Sequence, residues 1–293
     1  MKKIIVVTGG AGFVGSNLIN FFLKKTKFNF VSIDNYSTGK KSNHIRNERV
    51  KYIRGNTQNI EKLLNSSKKN IETIFHFGEF SRIYQSFKNF DQCYNSNTIG
   101  SKAVFKFCLD NKIRLIYSAT SATLGNSGND KNLSPYAFTK SKNLELLENF
   151  KKWFNFKYEV IFFYNVYGPN QIKTGEMSTV IGIFENCYEK NLPLPIVRPG
   201  TQTRRFTHIF DTILICYEAW KKKKYFNYSV TNKKSYSILN VADMFGLKKK
   251  FLPSRKGERF ASALTNLSYK NKVHKRYGNI DLKNYINEFR KNN

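Results

Sequence analysis

Tyr136 and Lys140 stand four places apart in the stretch LSPYAFTKSKNLELL. That spacing puts a phenol and an ammonium on one face of a helix. Pro135 suits the first helical turn and Ser134 can cap it, so the pair would sit where the helix begins. Together the two groups could do acid/base chemistry. A free phenol titrates near pH 10, and bringing one to neutrality takes roughly 4 kcal/mol, which nearby positive charge can supply. The same spacing also suits a tyrosine packed on the core beside a solvated lysine, so the pair gains meaning only from its surroundings.

A second group of residues could bind rather than react. TGGAGFVG places Gly9, Gly12 and Gly15 directly after an apolar run and at the opening of a helical pattern. Glycines there permit a tight turn and let backbone approach a pyrophosphate, while the helix N-terminus offers N–H donors. Asp34 follows 19 residues after Gly15, where a carboxylate can accept hydrogen bonds from both hydroxyls of a ribose and repel a 2′-phosphate. The pattern predicts NAD in preference to NADP. The alternatives are glycines that serve packing alone and an aspartate that belongs to the turn DNYSTGK.

The elements that must position these groups alternate. KKIIVV (2–7), FNFVSID (28–34), VKYIRG (50–55), IETIFHFG (71–78), IRLIYSAT (113–120) and YEVIFFYNVYG (158–168) read as strands. Residues 16–25, 97–112 and the stretch from Ser134 onward read as helices. Continuous apolar strands separated by helices predict an α/β fold, a doubly wound parallel sheet covered on both faces. Beyond Gly168 the regularity fails: GPNQIKTGEM and LPLPIVRPGTQT are loop-like, and only RRFTHIFDTILICYEAW (204–220) restores a strand and a helix. The expected division is a dinucleotide-binding domain of residues 1–166 plus 205–232 and a smaller, discontinuous lobe of 167–204 plus 233–293.

Composition limits the function classes. The chain has 293 residues, 40% of them hydrophobic, enough to bury a full core. Its formal charge of +30 would attract polyanions, but lysines are spread along the whole chain as a genome rich in A/T codons would spread them. No specific nucleic-acid site is therefore expected. Cys93, Cys108, Cys187 and Cys216 are far apart with no metal-ligand spacing, which reads as reduced cysteines of a cytoplasmic protein and no metal site. Polar and glycine residues break the N-terminal apolar run after Val7, and no stretch approaches 18 uninterrupted apolar residues, so neither an export signal nor a membrane span is expected.

TGGAGFVGSNL, IDNYSTGK, YSATSATLGN, YAFTK, FFYNVYGP and RRFTHIFDT, in this order through about residues 3–265, resemble the extended short-chain dehydrogenases that epimerise or dehydrate nucleotide sugars, above all UDP-sugar 4-epimerases. The resemblance implies Tyr136 as catalytic acid/base, Lys140 as its modulator and Thr120 as the hydroxyl that relays the sugar's proton, with Ser118 and Ser121 as substitutes. It implies a cofactor site of Gly9, Gly12, Phe13, Val14, Gly15, Asp34, Asn35, Ser37, Thr38, Gly39, Asn56, Thr57, Phe77 and Asn97 with Tyr136 and Lys140. For a UDP-sugar substrate it implies Ser81, Thr120, Asn165, Arg204, Arg255 and Ser262, the last leaving room for an N-acetyl group at C2. The implied reaction forms a transient 4-keto sugar with no net redox change, so NAD would be a tightly held cofactor.

Departures from the family pattern matter too. Ser121 and Ala122 occupy the places of the Asp-Glu pair that 4,6-dehydratases use, which ranks dehydration below epimerisation. The usual acidic adenine contact is Asn56, and an arginine before the NVYG motif is replaced by Phe162. His76 and His208 fall inside strand-like motifs and read as packed or hydrogen-bonded structural residues. A homodimer is expected, because helices 97–111 and 136–153 carry apolar residues beyond one core-facing stripe, including Phe105, Phe107, Leu146 and Phe150. The rival readings are another nucleotide-sugar enzyme on this scaffold (a reductase, a dehydratase, or an epimerase at another carbon such as C6 of a heptose) and a non-catalytic NAD-binding regulator.

Overall fold

The computed structural model describes residues 3–229, 231–257 and 278–293. The β-branched runs form the strands β1 (Ile4–Thr8), β2 (Asn29–Asp34), β3 (Val50–Arg54), β4 (Ile71–His76), β5 (Arg114–Thr120) and β6 (Tyr158–Phe163). Shorter strands follow: β7 (Val166–Tyr167), β8 (Leu194–Val197), β9 (Thr203–Arg205), β10 (Thr207–His208), β11 (Asn227–Ser229), β12 (Ser235–Ser237) and β13 (Lys249–Leu252). Seven of them make one parallel sheet in the order β11-β6-β5-β4-β1-β2-β3. From β1 the chain winds outward through β2 and β3, then returns to β4 on the other side of β1 and winds the opposite way. That reversal opens a crevice at the carboxyl ends of β1 and β4, where open α/β sheets bind ligands.

Burial on both faces explains why the strands read as unbroken apolar runs; every residue of β5 is buried. The helices among the described residues are α1 (Phe13–Lys25), α2 (Ile60–Leu64), α3 (Gln85–Lys88), α4 (Phe90–Tyr94), α5 (Ser101–Asp110), α6 (Pro135–Phe154), α7 (Val180–Glu189), α8 (Ile209–Lys222), α9 (Ile238–Phe245) and α10 (Leu282–Lys291). One core lies between the sheet and α5 and α6, with Val104, Phe107, Leu147 and Phe150 against Leu115, Tyr117 and Val160. The other lies between the sheet and α1 and α8, with Leu18 and Phe22 against Phe75, and Ile213 and Cys216 beside Ile116 and Ile161. A separate core joins α7, α9 and α10 through Phe184, Phe245 and Ile286.

Three local expectations change. The helix expected over 97–112 is two pieces, a π-helical turn Asn95–Gly100 followed by α5. Asn143 of α6 donates to the Asn97 carbonyl at 2.6 Å, drawing that oxygen away from a regular α ladder, and a Cβ on Gly100 would lie 2.3 Å from Thr57 Oγ1. The strand expected over 158–168 stops at Phe163, because Asn165 adopts φ 34°, a left-handed conformation that a strand cannot continue through. Phe105, Phe107 and Phe150, expected on a second copy, are buried within this chain's own core, and Leu146 packs against the same cluster. A 20-residue helix laid across a sheet and a neighbouring helix has two faces to cover, so its wide apolar stripe needs no second copy.

No helix among the described residues is long and apolar enough to cross a membrane, and no group of His, Cys, Asp or Glu among them could hold a metal ion.

Candidate active site

The glycine turn is the first wall of the site. Gly9 follows β1 at φ +71°, and a Cβ there would stand 2.9 Å from the backbone nitrogen of Gly78. At Gly15 a Cβ would come within 2.2 Å of the Gly9 carbonyl oxygen, so α1 can close on the turn only without a side chain. Helix α1 starts at Phe13 with Gly12 as its N-cap, and no side chain caps its first amides. Those N–H groups face a cavity lined by Gly9, Gly12, Phe13, Val14 and Gly15, a cradle suited to a pyrophosphate.

Asp34 ends β2 at the same cavity. Its Oδ2 accepts from the Ala11 amide at 3.0 Å and its Oδ1 from the Tyr36 amide at 2.8 Å. Burial pushes this carboxyl up from its ordinary value, while the two backbone amides and His44 pull it back. Two backbone bonds from opposite sides fix the plane of the carboxylate and leave acceptor capacity for ribose hydroxyls. Asn35, Ser37, Thr38, Asn56 and Thr57 line the adjoining wall, with Asn35 donating to Asn56 Oδ1 at 2.9 Å. Glycine turn, uncapped amides and oriented acid together fit NAD.

The cavity, about 950 Å³, continues from this end to Tyr136, Lys140 and Thr120. Helix α6 starts as its sequence dictates: Ser134 Oγ accepts from the Ala137 amide at 3.1 Å and Pro135 fills the first helical position. One turn into that helix, Tyr136 and Lys140 are 8% and 3% exposed, both on the cavity wall. Thr120, the last residue of β5, accepts from the Ala122 amide at 3.2 Å through Oγ1. Phe77, Ser81, Asn165, Arg204 and Arg255 line the same cavity. Asn165 also donates to the Arg205 carbonyl at 2.8 Å, and the Arg255 guanidinium lies 4.9 Å over the Tyr84 ring.

Two expected site residues stand off the cavity wall. Asn97 is fully buried behind the wall, where its amide clamps the Phe80 backbone at 2.7 and 3.0 Å, and it takes no place on the cavity surface. Gly39 is also absent from the lining; it permits close approach to Asp34, since a Cβ there would meet the carboxylate at 2.7 Å. Ser262 lies outside the described residues.

Two charged residues that carried no motif stand at the Tyr136 end of the cavity. Glu79, just beyond β4, forms a buried ion pair with Lys140, whose Nζ also donates to the Ser118 carbonyl at 2.6 Å and lies 4.7 Å over the Tyr117 ring. Glu79 Oε1 accepts from Ser101 at 2.8 Å, Tyr117 at 3.0 Å and Asn143 at 3.1 Å. Behind Ser101 stands His76, 2.9 Å away through Nε2, while His76 Nδ1 meets Thr8 Oγ1 at 2.7 Å. Thr8 Oγ1 already accepts from the Phe77 and Gly78 amides at 3.1 and 3.0 Å, so its hydroxyl proton goes to Nδ1 and the ring proton sits on Nε2. Burial pushes His76 down to about 4, so it stays neutral, the structural histidine its motif predicts. Arg82 also lines the cavity, its Nε donating to the Met177 carbonyl at 2.9 Å and its Nη1 to the Ser81 carbonyl at 2.9 Å. Glu79 left a faint signal: it is an acid directly after a strand end, in a chain with 20 acidic residues against 50 basic ones.

Comparison with known proteins agrees with this geometry. The chain is 25% identical over 218 residues to a putative UDP-glucose 4-epimerase of Methanocaldococcus jannaschii, covering 71% of this chain and 70% of that protein. It is 28% identical over 250 residues to the ADP-L-glycero-D-manno-heptose-6-epimerase of Brachyspira hyodysenteriae, covering 80% and 78%. The crystal structure of a UDP-glucuronic acid 4-epimerase from Bacillus cereus, in complex with UDP-glucuronic acid and NAD, superposes with a TM-score of 0.87 at 26% identity over 99% of each chain. A family model described as NAD dependent epimerase/dehydratase matches residues 5–232, from the first strand of the sheet to just beyond the last, and the chain belongs to that family.

Proposed function

We propose that this NAD-dependent nucleotide-sugar enzyme epimerises a UDP-sugar at C4 through a transient 4-keto intermediate. The observation that carries the reading is one continuous cavity with the glycine cradle and Asp34 at one end and Tyr136, Thr120 and Lys140 at the other. NAD, when bound, supplies the hydride acceptor and donor for the sugar carbon. Tyr136 removes the proton of the C4 hydroxyl and returns it, Thr120 holds that hydroxyl, and Lys140 orients the site from the next helical turn. Arg204 and Arg255 offer guanidinium groups to the substrate's pyrophosphate, and Asn165 and Ser81 line its path. Ser121 and Ala122, both buried, offer no carboxyl group for eliminating water, so epimerisation stands above dehydration.

The heptose epimerase among the relatives favours a second reading, inversion at C6 of a nucleotide heptose. Product NMR with UDP-glucose, UDP-N-acetylglucosamine, UDP-glucuronic acid and an ADP-heptose, NAD added, separates the two. Inversion at C4 of a UDP-sugar is expected, and inversion of the ADP-heptose alone overturns the proposal.

A second copy of the chain is the proposed partner. The apolar residues open to it are Phe87, Phe90, Tyr94 and Phe138, each between 39% and 51% exposed. A mass of twice 34.2 kDa by light scattering, halved by Phe90→Asp, is the expected result. A single-chain mass for the unaltered protein at micromolar concentration contradicts the dimer.

A further inference from the structure

Lys140, implied as the modulator of Tyr136, does not stand as a bare cation. The ammonium has three neighbours: the Glu79 carboxylate, the Ser118 carbonyl and the face of Tyr117. The Lys140 and Glu79 side chains are 4% and 2% exposed, so water screens this pair little. Glu79 is saturated as an acceptor, with Ser101, Tyr117 and Asn143 on one oxygen and Lys140 on the other. A buried carboxylate with this many donors is held in one place.

We propose that Glu79 is a positioning residue for Lys140, holding its ammonium in one place and cancelling its charge, so that Tyr136 works beside a neutral pair rather than beside a bare cation. This rests on the assignment of Tyr136 as the acid/base. Other groups surround the pair. His76 on β4 is neutral and reaches Glu79 through Ser101. Tyr117 on β5 donates its proton to Glu79, and burial holds it well above the ordinary phenol range. Cys93 on α4 is a thiol pushed up to about 11 by burial. Arg82 is a further charge on the cavity wall, and no carboxylate among the described residues pairs with it. Arg204 and Arg255 stand on the same wall, so the cavity carries other cationic side chains while Lys140 is neutralised in place.

The discriminating variant is Glu79→Gln, which keeps the shape and removes the charge. With Lys140 uncompensated, the phenolate is favoured. The acid limb of the kcat profile for the epimerised UDP-sugar moves toward lower pH by about one unit, while plateau kcat falls about tenfold because the ammonium loses its fixed place. A merely structural glutamate would lower the amount of folded enzyme without moving the limb, so a profile that superimposes on that of the unaltered enzyme overturns the proposal. Two further readouts need no turnover, so they hold even if the sugar assignment fails. Lysine side-chain 15N NMR, assigned with Lys140→Met, is expected to show a slowly exchanging ammonium signal that Glu79→Gln abolishes; its persistence contradicts the pairing. Should Glu79→Gln fold poorly, Glu79→Gln combined with Lys140→Met is expected to melt higher than either single variant. Additive losses in that cycle also overturn the proposal.

Discussion

Two buried carboxylates mark the two ends of the cavity, and they are held in different ways. Asp34 is fixed by the main chain, through the amides of Ala11 and Tyr36, one of them only two residues away. Glu79 is fixed by side chains from α5, β5 and α6, at separations of 22 to 64 residues. The nucleotide end is thus a property of a strand–turn–helix unit, which forms wherever that local sequence folds. The reacting end exists only when three distant segments are packed together. A site of the first kind tolerates changes in its neighbours' side chains, whereas one of the second depends on each member of the network.

The difference can be tested by disturbing each end. The largest effect is expected from Tyr136→Phe, which leaves the ring in its packing and removes only the hydroxyl. Turnover should drop by about 10²- to 10⁴-fold, the usual contribution of a positioned acid/base. NAD content of the purified protein, measured by absorbance after acid release, should stay unchanged, because the nucleotide end is built independently. Loss of NAD in step with rate would mean that the two ends are not separable.

The next effect is on stability against acid and belongs to the side-chain network. Burial pushes His76 from 6.5 to about 4 in the folded chain, so the unfolded chain binds a proton that the folded chain refuses between those values. Stability from this group is complete above pH 6.5 and is lost as the pH falls through about 4, by about 3 kcal/mol at 1.36 kcal/mol per pH unit. The melting temperature of the unaltered protein should fall over that window, and His76→Gln should flatten the fall. An equally steep profile in the variant would assign the acid sensitivity to other groups.

At the backbone-built end, Gly15→Ala would force a Cβ to within 2.2 Å of the Gly9 carbonyl oxygen. Crowding of this kind costs about 1–3 kcal/mol, and it should loosen NAD along with α1. A calorimetric titration showing unchanged NAD affinity would separate the turn from the cofactor. The smallest effect is expected from Asp34→Ser, which removes the carboxylate proposed to accept from the ribose hydroxyls. The preference for NAD over NADP, read as a ratio of dissociation constants, should narrow by about tenfold, an order appropriate to one charged hydrogen-bonding group. A ratio that does not move would locate the discrimination in Asn35 or Ser37 instead.

Local grammar made much of the fold and half of the site legible. Gly9, Gly12, Gly15 and Asp34 could be read because a turn, a helix start and a strand end each impose residue types within a few positions. Ser134 and Pro135 announced α6 for the same reason, and Tyr136 with Lys140 followed from helical spacing. What local spacing could not carry was the direction of a wide apolar stripe. Phe105, Phe107 and Phe150 read as surplus on isolated helices, yet between a sheet and a second helix they are core. Asn97 likewise belongs to a π-helical turn whose side chain points away from the cavity, into the Phe80 backbone.

The sequence by itself determined the doubly wound sheet, the cradle at its switch point and the phenol–ammonium pair, because each depends on contacts within one element or between neighbours in the chain. Only the tertiary structure decided what Lys140 pairs with. Glu79 lies 61 residues before it, just beyond β4, and its other partners come from α5 (Ser101), β5 (Tyr117) and Lys140's own helix (Asn143). A buried charge takes whatever partner the packed chain brings within reach, since leaving it unpaired costs more than any local preference can offset.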